Sequence, residues 1–563
     1  MGAARTTFRS GLASLWLLGA CLCATAAAAA EQDAVAAAIG AELDALMNPG
    51  VTSIRGAPVA LGSRLGEFYS RREFRAAWTS AHPREQLLQA LADSYHDGLN
   101  PDDYHLPLLQ ELSKQAMQPD ATATLAAQYD ILLTEALLRL AYHLTFGKVD
   151  PESFDPQWNY GRVLPGTDIA REIEDAIASE TVYDRLTALK PSHRFYARLK
   201  QELARYRAIE KDGGWSTLPE GPSLKPGASD ERVPALRARL LRSADLVDVA
   251  VSDPLHYDPA LVAAIKQYQE RTGLGADGVL GGATLAELNV PVASRILQLR
   301  VNLDRGRVLL QDLPKRFVIV NIAGYTVYLV EGQEVVWHAR AQVGKTYRRT
   351  PLFRSEISYL VFNPTWTVPP GIIANDILPE ARRDPRSIAR RGLRVLDRNG
   401  RELDPATIDW SRFTSGHIPY TLRQDPGPSN ALGRVKFMFP NPYQVYLHDT
   451  PSQSLFERPE RAFSSGCVRV ERAVELAEHV LADARRWNQD SIAKTVGAGE
   501  LENVTLKRRI PVLLAYWTAW LDPKGRTNFR RDVYDQDAKW AQALNAPFAI
   551  RARPLFAAPE REM

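Results

Sequence analysis

Tyr446-Leu447-His448-Asp449-Thr450 and, further on, Ser464-Ser465-Gly466-Cys467-Val468-Arg469 form the densest chemistry in this chain. His448 and Cys467 stand nineteen positions apart, so a loop between two short strands can return the thiol to the imidazole. A free thiol ionises near pH ~8.5 and carries only a little thiolate at neutral pH. A neighbouring imidazole removes that proton or stabilises the anion. Gly466 allows close backbone approach to a carbonyl. The N–H groups of Gly466 and Cys467 are then candidate donors to a developing oxyanion. A helix expected near Glu471 sets Cys467 just before its positive end, which further lowers the thiol pKa. Asp449 follows His448 in a strand-like run, so its side chain points to the opposite face. A Cys-His-Asp triad is therefore not expected, and a backbone carbonyl is left to orient the ring.

The cysteine count sharpens this. The chain has 563 residues and three cysteines. Arg5 and Arg9, the apolar run Gly11 to Cys23 and the small residues to Ala30 have the pattern of a secretory signal, with cleavage expected near Ala28-Ala29-Ala30. That removes Cys21 and Cys23 and leaves Cys467 as the one thiol of the exported chain. A lipoprotein-type cleavage at Leu18-Gly19-Ala20-Cys21 is the alternative and leaves Cys21 lipidated. The rest of the sequence holds no apolar run of ~20 residues, so no membrane span is expected. With 69 basic against 66 acidic residues, the net charge is +3. That balance gives no electrostatic footprint for nucleic acid.

Periodicity divides the rest. Residues 31 to about 225 read as mostly helical, with Leu132, Leu133, Ala136, Leu137, Leu140 and Leu144 at helical spacing. Trp78, Trp158 and Tyr160 read as core anchors. Glu220 to Asp230, rich in Gly, Pro and Ser, reads as a linker. A small unit of three helices with two glycine turns follows, to Val290. After Pro314 the period switches to strand over Phe317–Asn321, Thr326–Val330 and Val335–Val343. Helix is expected over Val470–Ala484 and a late strand over Ile510–Leu521. The Pro- and Arg-rich stretch 363–433 reads as an insertion covering a site. The fold class is multidomain α+β. Its expected parts are a signal (1–30), a helical scaffold (31–225), a three-helix unit (226–295) and a mostly β catalytic domain (296–550) bearing that insertion.

The two motifs together resemble the YkuD-type L,D-transpeptidases, large Gram-negative branch. Ser465 stands where many members carry histidine before the Gly-Cys pair. Gly427 to Gly433 leading to Phe439-Pro440-Asn441, Asn363-Pro364-Thr365-Trp366 with Val368-Pro369-Pro370, Phe68-Tyr69 with Trp78, and Tyr516 to Trp520 resemble that branch too. The 233–290 unit is similar to a peptidoglycan-binding domain through Tyr268-Gln269, Gly273-Leu274, Asp277-Gly278 and Thr284.

The resemblance implies acyl transfer on peptidoglycan stem peptides in the periplasm, in cell-wall biogenesis and cell shape. Cys467 attacks the carbonyl before a terminal D-Ala, a thioester forms, and the side-chain amine of a second meso-diaminopimelate gives a 3→3 cross-link. His448 shuttles the protons. Ser465, Tyr446 and Arg469 are expected beside the pair, Arg469 either on a substrate carboxylate or bracing the loop. Trp366 and Asn363 are candidate substrate contacts. Other wall synthases are candidate partners and carbapenems are expected to acylate Cys467. The motif leaves water (L,D-carboxypeptidase or hydrolase) and a protein lysine open as acceptors, and a non-catalytic wall-binding scaffold is the reading outside enzymes. Gly344-Lys345-Thr346 lacks the first glycine of a phosphate loop. No residue spacing suggests a metal, and no cofactor is expected.

Overall fold

The computed structural model describes residues 29–547, apart from 49, 51, 61, 117, 119, 154–167, 249 and 415–416. Residues 1–28 of the expected signal, with Cys21 and Cys23, lie outside that range, as do Trp158 and Tyr160. No described helix is long and apolar enough to cross a membrane.

The N-terminal region is helical around the helix Ala123–Phe146, which is buried along most of its length. Asp130 on this helix accepts from the Tyr69 hydroxyl at 2.7 Å and from the Ala77 and Trp78 N–H groups at 2.9 Å each. Trp78 donates to Thr134 at 2.9 Å. Its motif residues are thus the polar interior of this region. The three-helix unit comprises Val233–Arg242, Pro259–Thr272 and Gly282–Leu288. Gln269 organises it, donating to Asp277, Val279 and Thr284 and accepting from the Gly278 N–H. The segment read as a linker is part of this unit. Leu218 and Leu224 are buried in its core, and Leu224 pairs with Leu280. Leu224 among its turn residues anchors it, because burying that side chain contributes roughly 1.5–3 kcal/mol.

The β domain is built on nine strands: β1 (Arg316–Asn321), β2 (Thr326–Glu331), β3 (Glu334–Gly344), β4 (Phe353–Phe362), β5 (Val435–Met438), β6 (Leu447–His448), β7 (Ala462–Ser464), β8 (Val468–Val470) and β9 (Glu502–Ala515). Their order is β7-β3-β8-β6-β5-β4-β9-β1-β2, and β2 also pairs with β3, closing the sheet on itself. Val318, Phe437, Leu447, Val468 and Val512 are in its core. The helix Val292–Leu309 joins this core to the N-terminal region. Its Asp304 accepts from the Lys148 and Val149 N–H groups and from the Trp540 indole.

The insertion has a core of its own, including Val368, Ile377, Leu378, Ile388, Trp410 and Leu422. A four-stranded sheet runs in the order Trp366–Thr367, Thr421–Gln424, Arg394–Leu396, Glu402–Leu403. A separate core permits separate opening. Trp410→Ala is expected to destabilise the insertion by about 3–5 kcal/mol. Hydrogen exchange should then show lost protection at 394–396 and 421–424, with the amides of β6 and β8 unchanged.

Candidate active site

Strand β6 lies between β5, antiparallel, and β8, parallel. The registers Lys436↔His448, His448↔Arg469 and Arg469↔Gln342 place four polar side chains in one row across four strands. Alternation sends Phe437, Leu447 and Val468 to the core and this row to the other face. The Val468 N–H donates to the Tyr446 carbonyl at 2.9 Å, which sets Cys467 beside Tyr446 at the edge of the row. His448 and Cys467 line one cavity of about 1000 Å³ between the sheet and the insertion, together with Arg469, Ser465, Trp366 and Arg348.

His448 is buried, and its Nδ1 lies against the Asp449 carbonyl. A carbonyl only accepts, so the tautomer that donates from Nδ1 to Asp449 leaves the ring lone pair on Nε2. The Asp449 carboxylate faces away. It takes the Arg434 backbone N–H and guanidinium, each at 2.9 Å. Gly433, at φ +62°, has no room for a side chain because a Cβ there stands 2.6 Å from the Asp449 carboxyl. The ring is therefore oriented by main chain, as the alternation of a strand requires.

The turn carrying Cys467 is held from several sides. The Ser464 hydroxyl donates to the Cys467 carbonyl and accepts from the Gly466 N–H at 3.1 Å. Thr350 donates to the Gly466 carbonyl at 2.8 Å, and its own N–H donates to the Tyr534 hydroxyl at 3.1 Å. Gly466 sits at φ +119°, which a residue with a Cβ rarely adopts. These bonds correct two expectations. The Gly466 N–H is occupied by Ser464 and is no free oxyanion donor, whereas the Cys467 N–H makes no hydrogen bond to protein among the described residues. No helix begins beside Cys467. Strand β8 intervenes, Arg472 turns left-handed at φ +53°, and the helix is Ala473–Leu481. A helix-end field falls off within a turn, so it does not reach the thiol.

Burial pushes the Cys467 thiol up, and a Tyr446 backbone hydrogen bond, then the Lys436 and Arg469 charges, pull against that. Burial, with Arg469 and Lys436, pushes His448 down to about 3, against the pull of the Asp449 and Leu432 carbonyls. The imidazole is accordingly neutral. Arg469 donates to Gln342 at 3.1 Å, and its buried Nε has no partner. Ser465 is exposed and accepts from Arg348 at 2.8 Å, while Arg348 also pairs with Asp376 of the insertion at 3.0 Å. Tyr446 lies under Lys436, whose ammonium is 3.9 Å from the ring centroid, and does not line the cavity. Trp366 lines it. Asn363 does not. It is buried, at φ +48°, and its amide holds the carbonyls of Thr495 and Glu500. That interior role replaces the substrate contact expected of it. Lys436, Thr350, Tyr534 and Asp376 were not evident as site residues, because each reaches the site through pairing between distant segments. No cluster of metal-ligating side chains occurs among the described residues.

Residues 315–498 match the L,D-transpeptidase catalytic domain (YkuD), residues 63–203 the scaffold domain, and residues 229–288 the "Putative peptidoglycan binding domain". The chain carries a YkuD-type L,D-transpeptidase catalytic domain, a peptidoglycan-binding domain and a scaffold domain. A "Putative L,D-transpeptidase" of Haemophilus influenzae is 37% identical over 220 residues, which is 39% of this chain and 44% of that protein. The match therefore spans less than half of that relative's length. Crystal structures of L,D-transpeptidases from Xylanimonas cellulosilytica and Stackebrandtia nassauensis are 18% and 16% identical. They cover 53% of this chain in each case and 99% and 96% of their own, with TM-scores of 0.18 and 0.20.

The depressed His448 pKa has a stability consequence. Between about pH 3 and the ordinary imidazole value of 6.5, the unfolded chain binds a proton that the folded chain does not. The stability linked to this ring is complete above about pH 6.5 and is lost as pH falls toward 3. At pH 5 the loss is roughly 2 kcal/mol. Thermal melts should show wild type losing more stability than His448→Gln between pH 7 and pH 5.

Proposed function

We propose that this chain is a periplasmic L,D-transpeptidase that forms 3→3 peptidoglycan cross-links through a Cys467 thioester. The observation that carries this reading is the shared cavity of Cys467 and His448, with the His448 ring neutral and its Nδ1–H held on a main-chain carbonyl. In the first half-reaction the Cys467 sulfur bonds to the carbonyl carbon preceding the terminal D-Ala. The thiol proton passes to His448 Nε2. The C–N bond to D-Ala breaks, and that proton goes to the departing nitrogen. In the second half the side-chain amine of another stem's meso-diaminopimelate attacks the thioester. His448 takes the amine proton and returns it to the sulfur as the C–S bond breaks. The Cys467 N–H is the oxyanion donor in both halves.

The cavity supports a substrate rich in carboxylates. Lys345, Arg348, Arg383, Arg391 and Arg469 line it, against the acids Asp376 and Glu380. Trp366 offers an apolar surface at its rim. The peptidoglycan-binding domain supports a wall polymer as the ligand. Export rests on the pattern of residues 1–30. Water or a protein lysine as acceptor uses the same acyl-enzyme, and other wall synthases remain the partners this reading suggests.

Purified chain incubated with disaccharide-tetrapeptides should release D-Ala and accumulate 3→3 dimers, read by mass spectrometry. Tripeptides without dimers would make the enzyme a carboxypeptidase. Cys467→Ala should lose turnover by at least ~10³-fold, since the residual rate then rests on binding and oxyanion stabilisation alone, while still sedimenting with sacculi. A carbapenem should add its mass to the Cys467 peptide of wild type. No adduct there contradicts the family chemistry.

A further inference from the structure

We propose that Lys436 is a positioning residue of the thiol site, whose ammonium supplies the counter-charge for the Cys467 thiolate. His448 then acts as base without also having to be the thiolate's cation. This rests on reading Cys467 as the nucleophile. Lys436 stands opposite His448 in the β5–β6 register. Its chain bends toward Tyr446, the residue beside Cys467, with Nζ 3.9 Å from the ring centroid. Burial pushes the ammonium down, against the pull of the Cys467 charge. The Tyr446 face offsets part of the cost of a half-buried ammonium without a carboxylate, and an anion forming beside it offsets more. The thiolate is that anion.

The other charges around the thiol are accounted for. On β8, Arg469 faces Cys467 and is braced by the Gln342 amide. On β6, His448 is neutral and Tyr446 is pushed up by burial and by Cys467. Asp449 is turned to Arg434. Around the rest of the cavity, Arg348 pairs with Asp376 and Arg391 with Glu380. Lys345 and Arg383 complete the basic lining. Among the described residues no carboxylate pairs with Lys436. The same field that favours the thiolate also disfavours an imidazolium, with burial and Arg469 acting on the ring ahead of Lys436.

Packing on Tyr446 alone is the competing role for Lys436, and the charge separates the two. The full-length chain is alkylated with iodoacetamide across a pH series, and the Cys467 peptide is quantified by mass spectrometry, so Cys21 and Cys23 do not interfere. Alkylation follows the thiolate fraction. Lys436→Met should raise the Cys467 midpoint by about one pH unit or more. Lys436→Arg should restore it to within about 0.3 unit, since the charge is kept. Lys436→Gln, which keeps a polar chain, should behave as Lys436→Met and stands in for it if that variant does not fold. An unchanged midpoint in the neutral variants overturns the proposal, and so does an equal shift in Lys436→Arg. Turnover by Cys467→Ala would overturn the nucleophile reading instead, and leaves the midpoint comparison intact.

Discussion

The site depends on a short parallel pairing. Leu447 against Val468 and His448 against Arg469 are the two register pairs that join β6 to β8. A slip of one residue would turn every side chain to the other face. Leu447 and Val468 would leave the core, and His448 would enter it. Burial of the two apolar side chains therefore sets the register. The register in turn sets which polar groups share the outer face. The chemistry of the site is a by-product of how Phe437, Leu447 and Val468 pack.

That face gathers cations around one thiol. Among the described residues Lys436 and Arg469 make no ion pair with a carboxylate, and Asp449, next to His448, is occupied by Arg434. An imidazole in such a field stays neutral, so its ordinary role as the cation of a thiolate pair is weakened. The main chain does the orienting that a third side chain does in a triad. The Asp449 carbonyl fixes the ring, Ser464 and Thr350 fix the turn, and the insertion lines one side of the cavity. Arg348 ties these parts together, touching both Ser465 and Asp376.

Much of this architecture was legible in the chain. Short β-rich runs between glycine turns marked β1, β2 and β3 to within a few residues, and the long apolar spacing marked the helix Ala123–Phe146. The three helices of the small unit followed from their glycine turns. Strand β4 was missed because Arg354, Ser355, Glu356 and Ser358 interrupt its apolar pattern, although it is paired on both sides between β5 and β9. The helix after Cys467 was placed three residues early, because Val468 and Val470 suit either a strand or an apolar helix face. The late strand was read too far toward its C-terminal end. β9 stops at Ala515, and Ala519–Leu521 pairs separately with Thr527–Phe529. At the site, the pair itself was visible from residue types and spacing. Lys436 was not, since a lysine in a strand reads as a solvated face until its cross-strand neighbour is known. Asn363 misled for the opposite reason. A polar residue in a motif can serve the fold, and this one caps two carbonyls in the interior.

The central claim is that Cys467 carries the acyl group. Trapping the intermediate tests it most directly. The chain is mixed briefly with a tetrapeptide stem substrate, quenched in acid, digested and examined by mass spectrometry. The account predicts a mass increase on the Cys467 peptide equal to the stem acyl group lacking its terminal D-Ala, and none when His448 is replaced by Gln. An acyl group on any other residue, or D-Ala released with no thioester at Cys467, would contradict it.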